Sequence, residues 1–169
     1  MTKEERELLR KLTIRDVTPE IFTKNFTVDI TKNPGYIREL LEVAYFQKEA
    51  YDVEYLLIAM FYFHLFYIEE FIEILCKLMK ESWHFQHENI ASIFQDMKSP
   101  KTIDCLYVAA LTQFEYLEFD EAFALAVKCI WALGDINTPE SKDKLRLLSQ
   151  SENEIIRDNA INQLNRVIK

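Results

Sequence analysis

Hydrophobic positions recur along this chain with the period of a helix and not of a strand. Ile68, Phe71, Ile72, Leu75 and Met79 return every three or four residues; Ile103, Leu106, Tyr107, Ala110, Leu111 and Phe114 do the same, as do Phe123, Ala126, Val127 and Ile130. Each set falls on one face of a helix with 3.6 residues per turn. No stretch alternates apolar and polar residues between turn signals, and there are only two glycines, so a sheet has no support. One segment departs from the amphipathic pattern. From Tyr55 to Ile68, YLLIAMFYFHLFYI, every residue is apolar or aromatic except His64. Spanning a membrane takes about 20 consecutive apolar residues, and Glu54 and Glu69-Glu70 close this run too early. It reads as an inner helix packed on both sides by neighbours, with His64, Phe66 or Tyr67 at the turn that follows.

Helix starts are marked by proline. All four prolines follow a capping-type residue: Thr18-Pro19, Asn33-Pro34, Ser99-Pro100 and Thr138-Pro139. Proline suits the first helical position because its missing amide hydrogen would have no partner there. Thr2 with Glu5, and Ser151 with Glu154, have capping-box spacing and add two further starts. The count comes to nine or ten short helices, with connections short enough to set successive helices side by side and antiparallel.

Internal repetition decides between helical architectures. FQDMKSPKTIDCL, from Phe94 to Leu106, lies over LGDINTPESKDKL, from Leu133 to Leu145, at a constant offset of 39. The register pairs Asp96 with Asp135, Ser99 with Thr138, Pro100 with Pro139, Asp104 with Asp143 and Leu106 with Leu145. Further on, CIWALGDI at Cys129 matches AINQLNRV at Ala160 with an offset of 31. This pattern resembles the HEAT-like repeats, especially the short bacterial form whose second helix reads V-R-x-x-A-A-x-A-L-G-x-I. The last repeat carries Ile156-Arg157, Ala160-Ile161 and Leu164; the one before it carries Cys129-Ile130, Ala132-Leu133-Gly134 and Ile136. The likeness is clearest over residues 86 to 169. Upstream, Val53, Leu57-Ile58 and Met60-Phe61 fit only loosely, and residues 1 to 50 match as generic helices. The family arginine is kept only as Arg157, with Ala126 and His87 at the equivalent places, and the helix-ending glycine only as Gly134. The resemblance implies a single all-α domain over 1–169, a right-handed α-solenoid of stacked antiparallel helix pairs, and a binding scaffold without built-in chemistry. In the family the arginine serves a structural ion pair, which is the role expected of Arg157 with Asp158.

The two offsets single out one segment. Going from 31 to 39 requires about eight extra residues, and they fall near Gln113 to Glu121, QFEYLEFDE. Phe114, Tyr116, Leu117 and Phe119 interleave there with Glu115, Glu118, Asp120 and Glu121, without a basic residue. Insertions in repeat proteins gather along one face and often bind. Carboxylates beside aromatics suit a cationic protein surface. Glu115, Tyr116, Glu118, Phe119, Asp120 and Glu121 are therefore the candidate partner-binding residues, and reversing the four acids is expected to weaken binding without changing stability. The alternative is a longer helix with core aromatics and solvent-facing acids; the sequence leaves both open.

Composition narrows the function classes. In 169 residues, 49% are hydrophobic and 28% charged, enough for one domain with a solvated surface. There are 28 acids against 20 bases, a net charge of −8, which disfavours nucleic acid and favours a cationic partner. Cys76, Cys105 and Cys129 show no CxxC spacing and read as small buried hydrophobes. His84, His87 and Glu88 in WHFQHE are plausible metal ligands, but the spacing places only two side chains on one helix face, a third and fourth ligand must come from elsewhere, and an inter-helix turn is the simpler reading. Glu69, Glu70 and Glu73 read as a solvated face. No phosphate loop, GxSxG or HExxH occurs, so the expectation is no enzyme, no cofactor and no metal. The charged first twenty residues lack a signal-peptide core, which leads to the expectation of a cytoplasmic chain beginning at Met1, with no membrane contact. Among HEAT-like proteins, small acidic ones resemble immunity proteins that neutralise basic nuclease toxins. A scaffold for an endogenous complex is the alternative. Bilin lyases and alkylbase DNA glycosylases share the repeat, but a DNA groove should be basic.

Overall fold

The computed structural model describes residues 1–167, and among them every regular element is helical. Ten α-helices follow in order: α1 (Lys3–Thr13), α2 (Pro19–Asn25), α3 (Gly35–Gln47), α4 (Ala50–Tyr62), α5 (Ile72–Leu78), α6 (His87–Met97), α7 (Ile103–Leu111), α8 (Ala124–Ile136), α9 (Pro139–Leu148) and α10 (Glu154–Val167). Short 3-10 turns occupy Leu65–Tyr67, Glu69–Phe71, Pro100–Thr102 and Glu115–Leu117. No helix among the described residues is long and apolar enough to cross a membrane. Contacts divide the chain into two compact units, Met1–Ile74 and a second from Leu75 onward.

In the first unit α1 and α3 both pack on α4. Leu9, Leu12, Phe22, Ile37, Leu41, Leu56, Leu57 and Met60 are fully buried there. Two polar links cross this core. Arg6 donates from Nε and Nη2 to the two carboxylate oxygens of Asp52, each at 2.7 Å, and Asp52 is itself buried. Tyr36 donates its hydroxyl to Glu5 at 2.6 Å, while Thr2 N donates to the other Glu5 oxygen. Burial alone would raise the Glu5 carboxyl, but these bonds outweigh it and hold the group below its ordinary value. The apolar run that begins at Tyr55 is not one helix. Helix α4 stops at Tyr62; His64 is left-handed, with φ of 52°, and the 3-10 turn of Leu65–Tyr67 follows. Leu65 and Phe66 are buried in that turn and Tyr67 is exposed. Burial of a turn's side chains, not helical propensity, explains its apolar sequence.

In the second unit α8 lies against α6, α7, α9 and α10. Leu125, Cys129, Ile130, Ala132, Leu133 and Gly134 are buried along it. Gly134 sits inside the helix, two residues before its last residue Ile136, and does not end it. A Cβ there would lie 2.4 Å from the Gln163 amide oxygen, so the glycine sets how closely α10 approaches. The left-handed residue that ends α8 is Asn137 (φ 54°), and its counterpart after α6 is Lys98 (φ 51°). Their amides return to Leu133 and Phe94 respectively, in the same register of 39.

Capping follows the proline signals unevenly. Thr18 and Thr138 accept from the N3 amides of α2 and α9, and Thr2 closes a capping box with Glu5. At Asn33-Pro34 the first helical residue is Gly35, one later than expected. After Ser99-Pro100 a 3-10 turn intervenes before α7. Ser151 does not cap α10. Its hydroxyl accepts from Asn153 N, and Asn153 accepts from Ile156 N, so Asn153 takes the capping position.

Candidate functional site

Between α7 and α8 the chain runs irregularly from 112 to 123, more than twice the length of the link 149–153 between α9 and α10. The longer-helix reading of this segment is therefore replaced by a loop holding a single turn of 3-10 helix, Glu115–Leu117. Two aromatics fasten it. Phe114 is buried and stacks on the His87 ring at 3.7 Å between centroids. Tyr116, 41% exposed, places its hydroxyl 2.9 Å from His87 Nδ1.

His87 is fully buried at the start of α6, and its chemistry is set by its partners. Nε2 lies 2.8 Å from the Glu81 carbonyl, which only accepts, so Nε2 carries the proton. Nδ1 is then the acceptor of the Tyr116 hydroxyl. His84 repeats the arrangement, with Nε2 against the Leu78 carbonyl and Nδ1 accepting from Gln86 N. The two rings stack at 4.4 Å. Burial and the neighbouring His84 push His87 down to about 4, and burial likewise lowers His84. All four ring nitrogens are engaged, and no group of three metal-ligating side chains occurs among the described residues. The spacing in WHFQHE serves to anchor the loop.

The six candidate residues separate into distinct roles. Phe119 stands at the tip, 92% exposed. Glu115, Glu118 and Glu121 are exposed beside it and form no ion pair among the described residues. Asp120 differs from them. Its Oδ1 accepts from Ala122 N and its Oδ2 from Ala124 N at 2.6 Å, so it supplies the first turn of α8 with an acceptor that Phe123, left-handed at φ 51°, cannot give. Reversing Asp120 is therefore expected to damage the helix start, which corrects the expectation that all four acids are structurally silent.

Beneath the loop lies a cavity of about 460 Å³. Its walls are Leu111, Phe114, Leu117, Phe123, Leu125 and Ile156, and Glu115, Glu118 and Asp120 also line it; no lysine, arginine or histidine does. Phe119 and Glu121 are outside the lining. The sequence singled out the segment, left loop and longer helix open, and showed neither its anchor nor its cavity. His87 and Ile156 are far from the insert in sequence, and only the fold brings them to it. The extra residues and their aromatic spacing were the sole signal available. Comparison with protein families, curated proteins and solved structures yields no match to this chain.

Proposed function

We propose that the chain is a non-catalytic protein-binding module whose docking element is the acidic aromatic loop 112–123. The observation that carries this reading is Phe119: a phenylalanine 92% exposed, on a loop that also exposes Glu115, Glu118 and Glu121 and is anchored through buried His87. A large apolar side chain held in water by a structured loop has little role within the chain itself, and aromatic anchors inside a polar rim are the usual centre of an interface. The carboxylates favour a basic partner and disfavour an acidic one. Net charge of −8 reinforces the selection at long range.

For the frame, the favoured reading is a short stack of HEAT-like helix pairs in the second unit. Its support is the shared register of 39, in which Lys98 and Asn137 end their helices alike and a proline opens the next segment. For the biological role, the favoured reading is an immunity protein that covers a basic nuclease-type toxin domain; a scaffold within an endogenous complex is the second. The discriminating experiment uses the product of the gene immediately upstream, which the immunity reading requires to be a basic nuclease. An equimolar amount of the chain should abolish its nuclease activity, and Phe119→Ala with Glu118→Lys and Glu121→Lys should raise the inhibitory concentration by at least about tenfold at unchanged melting temperature. Full inhibition by the triple variant would remove the loop from the interface. Binding without inhibition would favour the scaffold.

A further inference from the structure

The cavity under the loop has a chemistry separate from that of the exposed tip. Its volume of about 460 Å³ falls within the range of small-molecule sites, roughly 300–1,000 Å³. One lysine or arginine side chain from a partner would leave much of it empty, and a partly filled cavity loses dispersion contacts. Leu125 and Ile156 are buried in its walls, with Phe114 and Phe123 beside them. Its charged lining groups, Glu115, Glu118 and Asp120, are all acids. The Asp120 oxygens are taken by backbone amides, which leaves Glu115 and Glu118 as the carboxylates free to meet a ligand.

We propose that this cavity binds a small amphipathic organic cation, with an aromatic or branched aliphatic body seated against Leu125, Ile156 and Phe123 and an ammonium or guanidinium group at Glu115 and Glu118. A neutral ligand of the same shape would cover the carboxylates without replacing their water, which is costly, and an anion would be repelled. A cation gains charge-assisted hydrogen bonds there and lies near aromatic faces. A bare metal ion is a poor alternative, because hard cations need several converging oxygen ligands, and no such group of side chains occurs among the described residues. The site stands on the cavity and its lining, and does not depend on the protein-binding reading.

The test is a methyl NMR titration of the full chain with three probes of one shape: 4-phenylbutylammonium, 4-phenylbutanol and 4-phenylbutanoate. The ammonium should shift the Leu117, Leu125 and Ile156 methyls saturably and bind about tenfold more tightly than the alcohol, and the carboxylate should not bind. Glu115→Gln with Glu118→Gln, both exposed positions, should erase the gap between ammonium and alcohol by weakening the ammonium, with the alcohol binding no more weakly than before. Phe119→Ala should leave the ammonium affinity unchanged, so this site and the protein-binding tip fail separately. Acetyl-Phe-Lys-amide presents the same groups from a peptide. Weaker binding than the free amine supports the small-molecule assignment, and tighter binding transfers the cavity to a protein partner and overturns it. Equal affinity for ammonium and alcohol, or shifts confined to methyls away from the cavity, would also overturn it.

Discussion

His87 ties the loop to the frame through nitrogens with fixed roles, and this makes the attachment sensitive to protons. The folded ring takes a proton only near pH 4, whereas the unfolded chain takes one near 6.5. The unfolded state therefore binds more protons as pH falls below 6.5. Stability is complete above that value and declines through the window down to about 4. Between pH 6.5 and 5 the loss from His87 should be about 1.5 kcal/mol, and His84, whose value burial also lowers, adds to it in the same direction. Urea midpoints measured across that range check it, together with the His87 ring shifts, which should stay flat until close to pH 4; a constant midpoint would show that the ring is not held neutral. The thiols offer a second residue-scale contrast. The Cys76 thiol, on α5, is hydrogen-bonded with Cys105, which lowers Cys76 and raises Cys105, and burial pushes Cys129 up to about 12. Cys76 is also the only one of the three not fully buried. Iodoacetamide at neutral pH should label Cys76 well before the others, as peptide mass spectrometry would show; equal labelling would mean that the pair is not formed. Reading the cysteines as buried hydrophobes captured Cys105 and Cys129, but the Cys76–Cys105 contact joins two helices and leaves no trace in local spacing.

At the scale of elements, periodicity and capping chemistry made most of the helices legible. Pro19, Pro139 and the Thr2–Glu5 box each open a helix where local chemistry says they should. Where tertiary packing competes, the boundaries moved. Asn153 displaced Ser151 as a cap, and the apolar run from Tyr55 turned out to contain a buried turn, because burial alone does not distinguish helix from turn. Gly134 is the instructive case. A glycine in a short HEAT-like motif reads as a helix stop, yet here it lies within α8 and admits Gln163, whose amide oxygen is buried without a partner. Helix propensity favours Gly134→Ala by about 1 kcal/mol, but the new methyl meets a side chain that is only 1% exposed and cannot swing into solvent. The collision should prevail, for a net loss of about 1–2 kcal/mol. In a Gln163→Ala background the nearest atom left is at the end of the exposed Arg166 side chain, 3.0 Å away, which can shift into solvent, and the same substitution should stabilise by about 1 kcal/mol. Thermal denaturation of the four proteins of this cycle measures the reversal of sign. A stabilising Gly134→Ala in the otherwise unchanged chain would refute the role of the glycine as a spacer.

The second unit combines packed helices with a long acidic loop, and that division is what the functional reading uses. The comparison of repeat offsets drew attention to 113–121 and left loop and longer helix open; the structure shows a loop with one 3-10 turn. The cavity beneath it was illegible, since Ile156 lies on α10, far from the loop in sequence, and only the fold brings it there. In the second unit, α8 has neighbours on several sides and a nearly continuous buried sequence, whereas 112–123 spends its backbone mostly on local bonds such as Leu117 N to Phe114 O and Asp120 N to Leu117 O. Opening α8 should therefore require disrupting most of that unit, while opening the tip requires breaking only a few contacts. Amide hydrogen exchange on the full chain should find the slowest amides of this unit at Ile130 to Leu133, and the fastest ones at Glu118 to Glu121. Phe114 and Tyr116 should fall between, because His87 holds them. Tyr116→Phe removes the hydroxyl donated to His87 and should speed exchange across the loop several-fold while leaving α8 untouched. Acceleration of α8 to the same degree would mean that loop and frame open as one body, and an interface could then not adjust the loop without unfolding its support.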